Sequence, residues 1–91
     1  MDSAIKEWAD LLEEELVTFD NLGAAILGIG RTHTQPTRVV YSYEKIMNIL
    51  VRHGMSYEEA QEFFDFNIEG VWAGENTPII LYDIDDNDNG P

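Results

Sequence analysis

Apolar residues return at helical intervals from the start of the chain. Ala4, Ile5, Trp8, Leu11 and Leu12 fall on one face at about 100° per residue, while Glu7, Asp10, Glu13 and Glu14 turn away from it. Ser3 is placed to cap this helix, and Glu15, back on the apolar face, marks its edge. "TFDNLG" then breaks the pattern. Residues 24–30, "AAILGIG", are too short and glycine-rich a run for a helix and predict a buried strand. "RTHTQPT" is a loop, since Pro36 argues against a continuous strand, and "RVVY", residues 38–41, is a second short strand. The two make a hairpin with a long connection. Helical spacing resumes in "YSYEKIMNILVRHG". Ser42 caps it, Tyr43, Ile46, Ile49 and Leu50 share a face, and Gly54 stands where a helix-closing glycine belongs. Ser56 and Glu59 form an S-x-x-E capping box that opens a helix from Tyr57 to Glu69, with Gly70 as a second closing glycine. "PIILY", residues 78–82, is a third strand.

The expected fold is α+β in the order α-β-β-α-α-β, a three-stranded sheet carrying its helices on one face. The chain divides into an acidic amphipathic helix over 1–21, an α+β core over 22–82 and an acidic flexible tail over 83–91. Ninety-one residues make a single domain with a modest core. No cysteine is present to add a disulfide or a thiolate metal site.

Charge changes the picture most. The net charge is −13, unevenly spread. Residues 1–20 carry seven acids and Lys6, residues 58–91 carry ten acids and no base, and Arg31, Arg38, Lys45 and Arg52 all lie between them. Such a chain repels nucleic acid and anionic membranes, and its expected partners are basic surfaces. No apolar run approaches the ~20 residues that span a bilayer. The first residues are acidic and unlike a signal peptide, so a soluble, intracellular protein is expected.

The helix over 57–69 concentrates this charge. Ala60, Phe63, Phe64, Asn67 and Ile68 face one way, and Glu58, Glu62, Asp65 and Glu69 face the other within an arc of roughly 60°. In a straight helix the four carboxylates form a line ~16 Å long with a charge every ~5 Å, a pitch comparable to phosphates along one DNA strand. No lysine or arginine stands four residues away to neutralise them, and like charges at that spacing cost stability. A plain solvated face is the competing reading. Phe66 projects to the border of the row, as an exposed aromatic anchor or as a side chain beneath the first helix.

Catalytic and metal chemistry finds little footing. Asp85, Asn87, Asn89 and Gly90 match the first half of an EF-hand loop, but the bidentate glutamate and flanking helices are missing, so a high-affinity calcium site is not expected. His33 and His53 are far apart and out of metal-ligand spacing. "GIGRTHTQPT" lacks the lysine and helix of a phosphate loop. Ser3, Ser42 and Ser56 read as caps, not nucleophiles. No enzyme activity, cofactor or metal is expected.

"ILGIGR", "VVYSYEKIMNIL" and "GMSYEEAQEFFDFNIEGVWAGENTPIIL" together resemble a family of small tailed-bacteriophage proteins over residues 24–82. The resemblance implies a phage origin and a place in the infected bacterial cytoplasm, and it brings no catalytic residue with it. The function expected from charge and resemblance is an interaction protein that binds a basic host protein, such as a defence or nucleic-acid-binding enzyme, as a DNA mimic. Glu58, Glu62, Asp65 and Glu69 would contact it, helped by Phe66, Asp10 and Glu14. The alternative is a phage assembly or regulatory protein that forms a homo-oligomer through its first helix.

Overall fold

In the computed structural model, which describes residues 2–71 and 74–84, the elements run helix, strand, strand, helix, helix, strand. They are α1 (Asp2–Leu12), β1 (Ile26–Gly30), β2 (Arg38–Ser42), α2 (Tyr43–Arg52), α3 (Tyr57–Phe64) and β3 (Ile79–Leu81). The protein is a small α+β domain with the expected element order.

β2 is the central strand. It pairs antiparallel with β1, matching Ile26 to Tyr41 and Ile29 to Val39, with Leu27 bulged out of the ladder. Its pairing with β3 is parallel, Val40 to Ile79 and Ser42 to Leu81. Parallel neighbours need a long crossover, and α2 and α3 supply it. Alternation along β2 buries Val39 and Tyr41 completely. They share one core with Ile46, Leu50, Ala60 and Phe64 from the two helices.

The helix starts follow their sequence signals. Ser42 Oγ accepts from the Lys45 N–H at 3.1 Å and caps α2. Ser56 Oγ accepts from the Glu59 N–H at 3.1 Å while Glu59 Oε1 accepts from the Ser56 N–H at 2.9 Å, a complete capping box. Gly54 closes α2 with φ +105°, a conformation that L side chains rarely adopt.

Several elements differ from the sequence reading. α1 already includes Asp2, so Ser3 lies inside it, and it stops at Leu12, well short of residue 21. Glu13 turns left-handed (φ +56°), with its N–H bonded to Asp10 O and the Glu14 N–H bonded to Ala9 O. This is a Schellman ending with glutamate in the usual glycine position. Residues 14–19 then run without regular structure, and Leu16 and Phe19 pack on the core. Of the expected apolar stripe, only Ile5 is buried; Leu12 is half-buried, Trp8 is 49 % exposed and Leu11 is 74 % exposed. Residues 23–25 form a 3-10 turn, so β1 begins at Ile26. α3 gives way after Phe64 to a π-helical turn, Asp65–Glu69, in place of a continuous α-helix to residue 69. Gly70 has an ordinary right-handed backbone, and its lack of a side chain serves close approach instead: a Cβ there would sit 3.2 Å from Asp65 O.

Candidate protein-binding surface

α3 buries Ala60 and Phe64, and the π turn continues that buried edge with Ile68. The opposite side keeps Glu58, Glu62, Asp65 and Glu69 exposed, and Phe66 beside them is 79 % exposed, not under α1. The capping box engages Glu59 and lowers its carboxyl pKa through the Ser56 hydrogen bonds.

The π turn bends the row. Asp65 still bonds back to Gln61 O in helical geometry, but the wider turn that follows changes side-chain rotation along the axis, so Glu69 leaves the line of Glu58, Glu62 and Asp65. Glu69 lies at the end of β3, where it accepts a hydrogen bond from the Tyr82 hydroxyl. The straight ~16 Å line expected of a regular helix is therefore broken at its last member, Glu69, which sits beside an aromatic cluster.

Sequence reasoning missed that cluster, and strand register explains it. Ser42 pairs with Leu81 in the parallel ladder, so the next residues, Tyr43 and Tyr82, emerge side by side. Their rings stack at 4.9 Å with 28° between planes. Phe64 meets Tyr43 edge-on at 4.9 Å. Desolvation first, then the Tyr57 hydroxyl and the charges of Asp65 and Glu69, push the Tyr43 phenol pKa up. Tyr82 is pushed up to about 12 by desolvation, then by its bond to Glu69 and the surrounding negative charge. The signal available in the sequence was a tyrosine directly after each of two strands. It becomes legible only once β2 and β3 are known to be parallel and in register.

Glu14 has a different place. Its carboxylate accepts from the Thr37 N–H at 3.0 Å and from Thr37 Oγ1 at 2.7 Å, and Asn76 Nδ2 reaches both Glu14, at 3.5 Å, and Thr37 O, at 2.8 Å. These bonds tie the segment after α1 to the start of β2 and to the turn before β3. Backbone and side-chain bonds from Thr37 lower the Glu14 pKa. The residue assigned to partner contact is thus occupied in holding the fold. Asp10 is exposed on α1, a different element from the one that carries the row.

A concavity of about 300 Å³ lies between the Asp20–Asn21 turn, the end of α2 and α3, lined by Phe19, His53, Met55 and Phe63 among others. His33 sits in the exposed stretch 31–35 between β1 and β2. Among the described residues, no group of His, Asp and Glu is placed to hold a metal ion, and no helix is long and apolar enough to cross a membrane. The half EF-hand at Asp85, Asn87, Asn89 and Gly90 lies outside the described residues. Comparison with family models, curated proteins and solved structures finds no match for the chain.

Proposed function

We propose that this protein is an acidic interaction domain that binds a basic surface of a host protein in a phage-infected bacterial cytoplasm and competes there with nucleic acid. The supporting observation is the exposed set Glu58, Glu62, Asp65 and Glu69, grouped with the exposed Phe66 on a stretch of chain that carries no lysine or arginine. Uncompensated carboxylates repel one another along a helix, and a basic partner removes that repulsion on binding. Phe66 adds apolar contact at the edge of the charged set, as aromatic anchors do at interfaces. The acids at the bend follow a surface, not a straight line. The mimicry therefore lies in charge density beside an aromatic anchor and not in a copied phosphate spacing.

The test is affinity purification from infected host lysate with the full chain as bait. A basic nucleic-acid-binding protein that duplex DNA displaces is the expected prey. Recovery of virion proteins alone contradicts the proposal and supports the second reading, assembly through α1. That reading has its own observation: Trp8 and Leu11 leave an apolar strip of α1 facing solvent.

A further inference from the structure

We propose that the groove formed by Tyr43, Tyr57 and Tyr82 is an arginine-binding subsite, which receives one guanidinium of the basic partner. The inference rests on the proposed binding of a basic protein and names the side chain that enters at this point.

The groove has a volume of about 330 Å³ and is lined by Tyr43, Glu44, Met47, Asn48, Tyr57, Tyr82 and Asp83. Three tyrosines converge for topological reasons. Tyr43 and Tyr57 each open a helix directly after its serine cap, and Tyr82 follows the strand parallel to β2. Tyr57 is 58 % exposed, so its ring is open to a ligand, and the Tyr43–Tyr82 stack gives the groove an aromatic wall. Aromatic faces attract cations through their quadrupole, and carboxylates at the rim add charge. Glu44 and Asp83 line the groove, and Asp65 and Glu69 lie close enough to raise both phenol pKa values.

The N-terminus of α2 also opens here, and its partial positive charge opposes a cation. Ser42 caps that end, Glu44 stands in its first turn, and Asp83 Oδ2 accepts from Ser42 Oγ at 3.2 Å, so the end is already compensated. Lys45 is not among the residues lining the groove. The carboxylates of Glu44 and Asp83 and the tyrosine wall disfavour an anion.

Arginine fits better than lysine for two reasons. A planar guanidinium stacks on an aromatic ring while its edge donors reach carboxylates, and it is more weakly hydrated than an ammonium. Lysine offers the same charge without the plane.

The experiment titrates the full chain with three peptides of one Gly/Ser/Lys-containing sequence, whose central position is arginine, lysine or the neutral isostere citrulline. Aromatic and amide NMR shifts are the readout. The expected result is perturbation of Tyr57, Tyr82 and Asp83 by the arginine peptide, with binding about 3- to 10-fold tighter than for the lysine peptide and weaker still for citrulline. Tyr57→Leu should abolish the arginine preference and Tyr57→Phe should keep it; both sit on the surface, and an unchanged melting temperature certifies the fold. Glu44→Gln should reduce affinity for both cationic peptides. Equal binding of the arginine and lysine peptides, or an arginine preference that survives Tyr57→Leu in a folded variant, overturns the subsite. If the subsite fails while Glu62→Lys still weakens both cationic peptides, the acidic-surface reading survives without it; if Glu62→Lys also has no effect, both fall.

Discussion

Glu13 occupies a backbone conformation that a side chain makes costly. Its φ of +56° closes α1 in the position where glycine is favoured. A left-handed L-residue costs about 1–2 kcal/mol relative to its right-handed form. Glu13→Gly should therefore raise stability by about 1 kcal/mol in urea unfolding, less the added freedom of the unfolded chain. Glu13→Ala removes the same charge and keeps the strain, so it should gain little; equal gains from both variants would mean that charge, not backbone, is the cause. Glu14 gives a pH prediction. Its folded pKa lies below its ordinary value of 4.5 because Thr37 hydrogen bonds favour the carboxylate. A depressed pKa stabilises the fold above the unfolded value, and that stabilisation disappears as pH falls through the folded pKa. Wild type should thus melt higher than Glu14→Gln at neutral pH, and the gap should close as pH drops below 4.5. A gap independent of pH across that window would contradict this role for Glu14.

The elements whose signals are local were legible in the sequence. Ser42 and the Ser56–Glu59 box predicted both later helix starts, because a cap needs only the residue and the N–H three positions on. The hairpin followed from Pro36 and the two short apolar runs. The misreadings arose where tertiary structure decides. α1 ends early because its chain must leave the helix for Glu14 to reach Thr37 and for Phe19 to reach Tyr41, whose hydroxyl accepts from the Phe19 N–H at 2.8 Å. The π turn leaves no periodicity signal, since Ala60, Phe64 and Ile68 keep a four-residue repeat through it. The tyrosine cluster depends on strand register, which a single sequence does not state. Helical periodicity also overstated the burial of α1. Trp8→Ser, Leu11→Ser should leave monomer stability within about 0.5 kcal/mol, as expected for surface positions. Light scattering on wild type should show a monomer under the favoured function. An oligomer that the double variant dissolves would transfer support to the assembly reading.

Across the whole molecule, Arg31 and Arg38 share one end of the sheet with Glu14, which is held on Thr37, and with Glu75, while Lys45 stands in the first turn of α2 at the other end. Arg38 lies at the start of β2, Arg31 follows the neighbouring end of β1, and the tyrosine groove lies at the far end of β2, roughly 13 Å along a five-residue strand. The exposed set Glu58, Glu62, Asp65 and Glu69, with Phe66 beside it, attracts an approaching basic surface, and long-range fields of this kind act mainly on association rate. Screening between exposed charges sets in over ~8–10 Å at physiological ionic strength, so the contact must weaken with salt. The most direct measurement is binding of the purified host partner to wild type and to Glu62→Lys, Asp65→Lys, at low and high salt, with and without competing duplex DNA. Wild-type binding should fall with salt and with DNA. The double reversal should lose most of its binding while remaining folded, since it relieves like-charge repulsion on α3. Undiminished binding by a folded double variant would reduce the acidic set to a solvated face and end the case for mimicry.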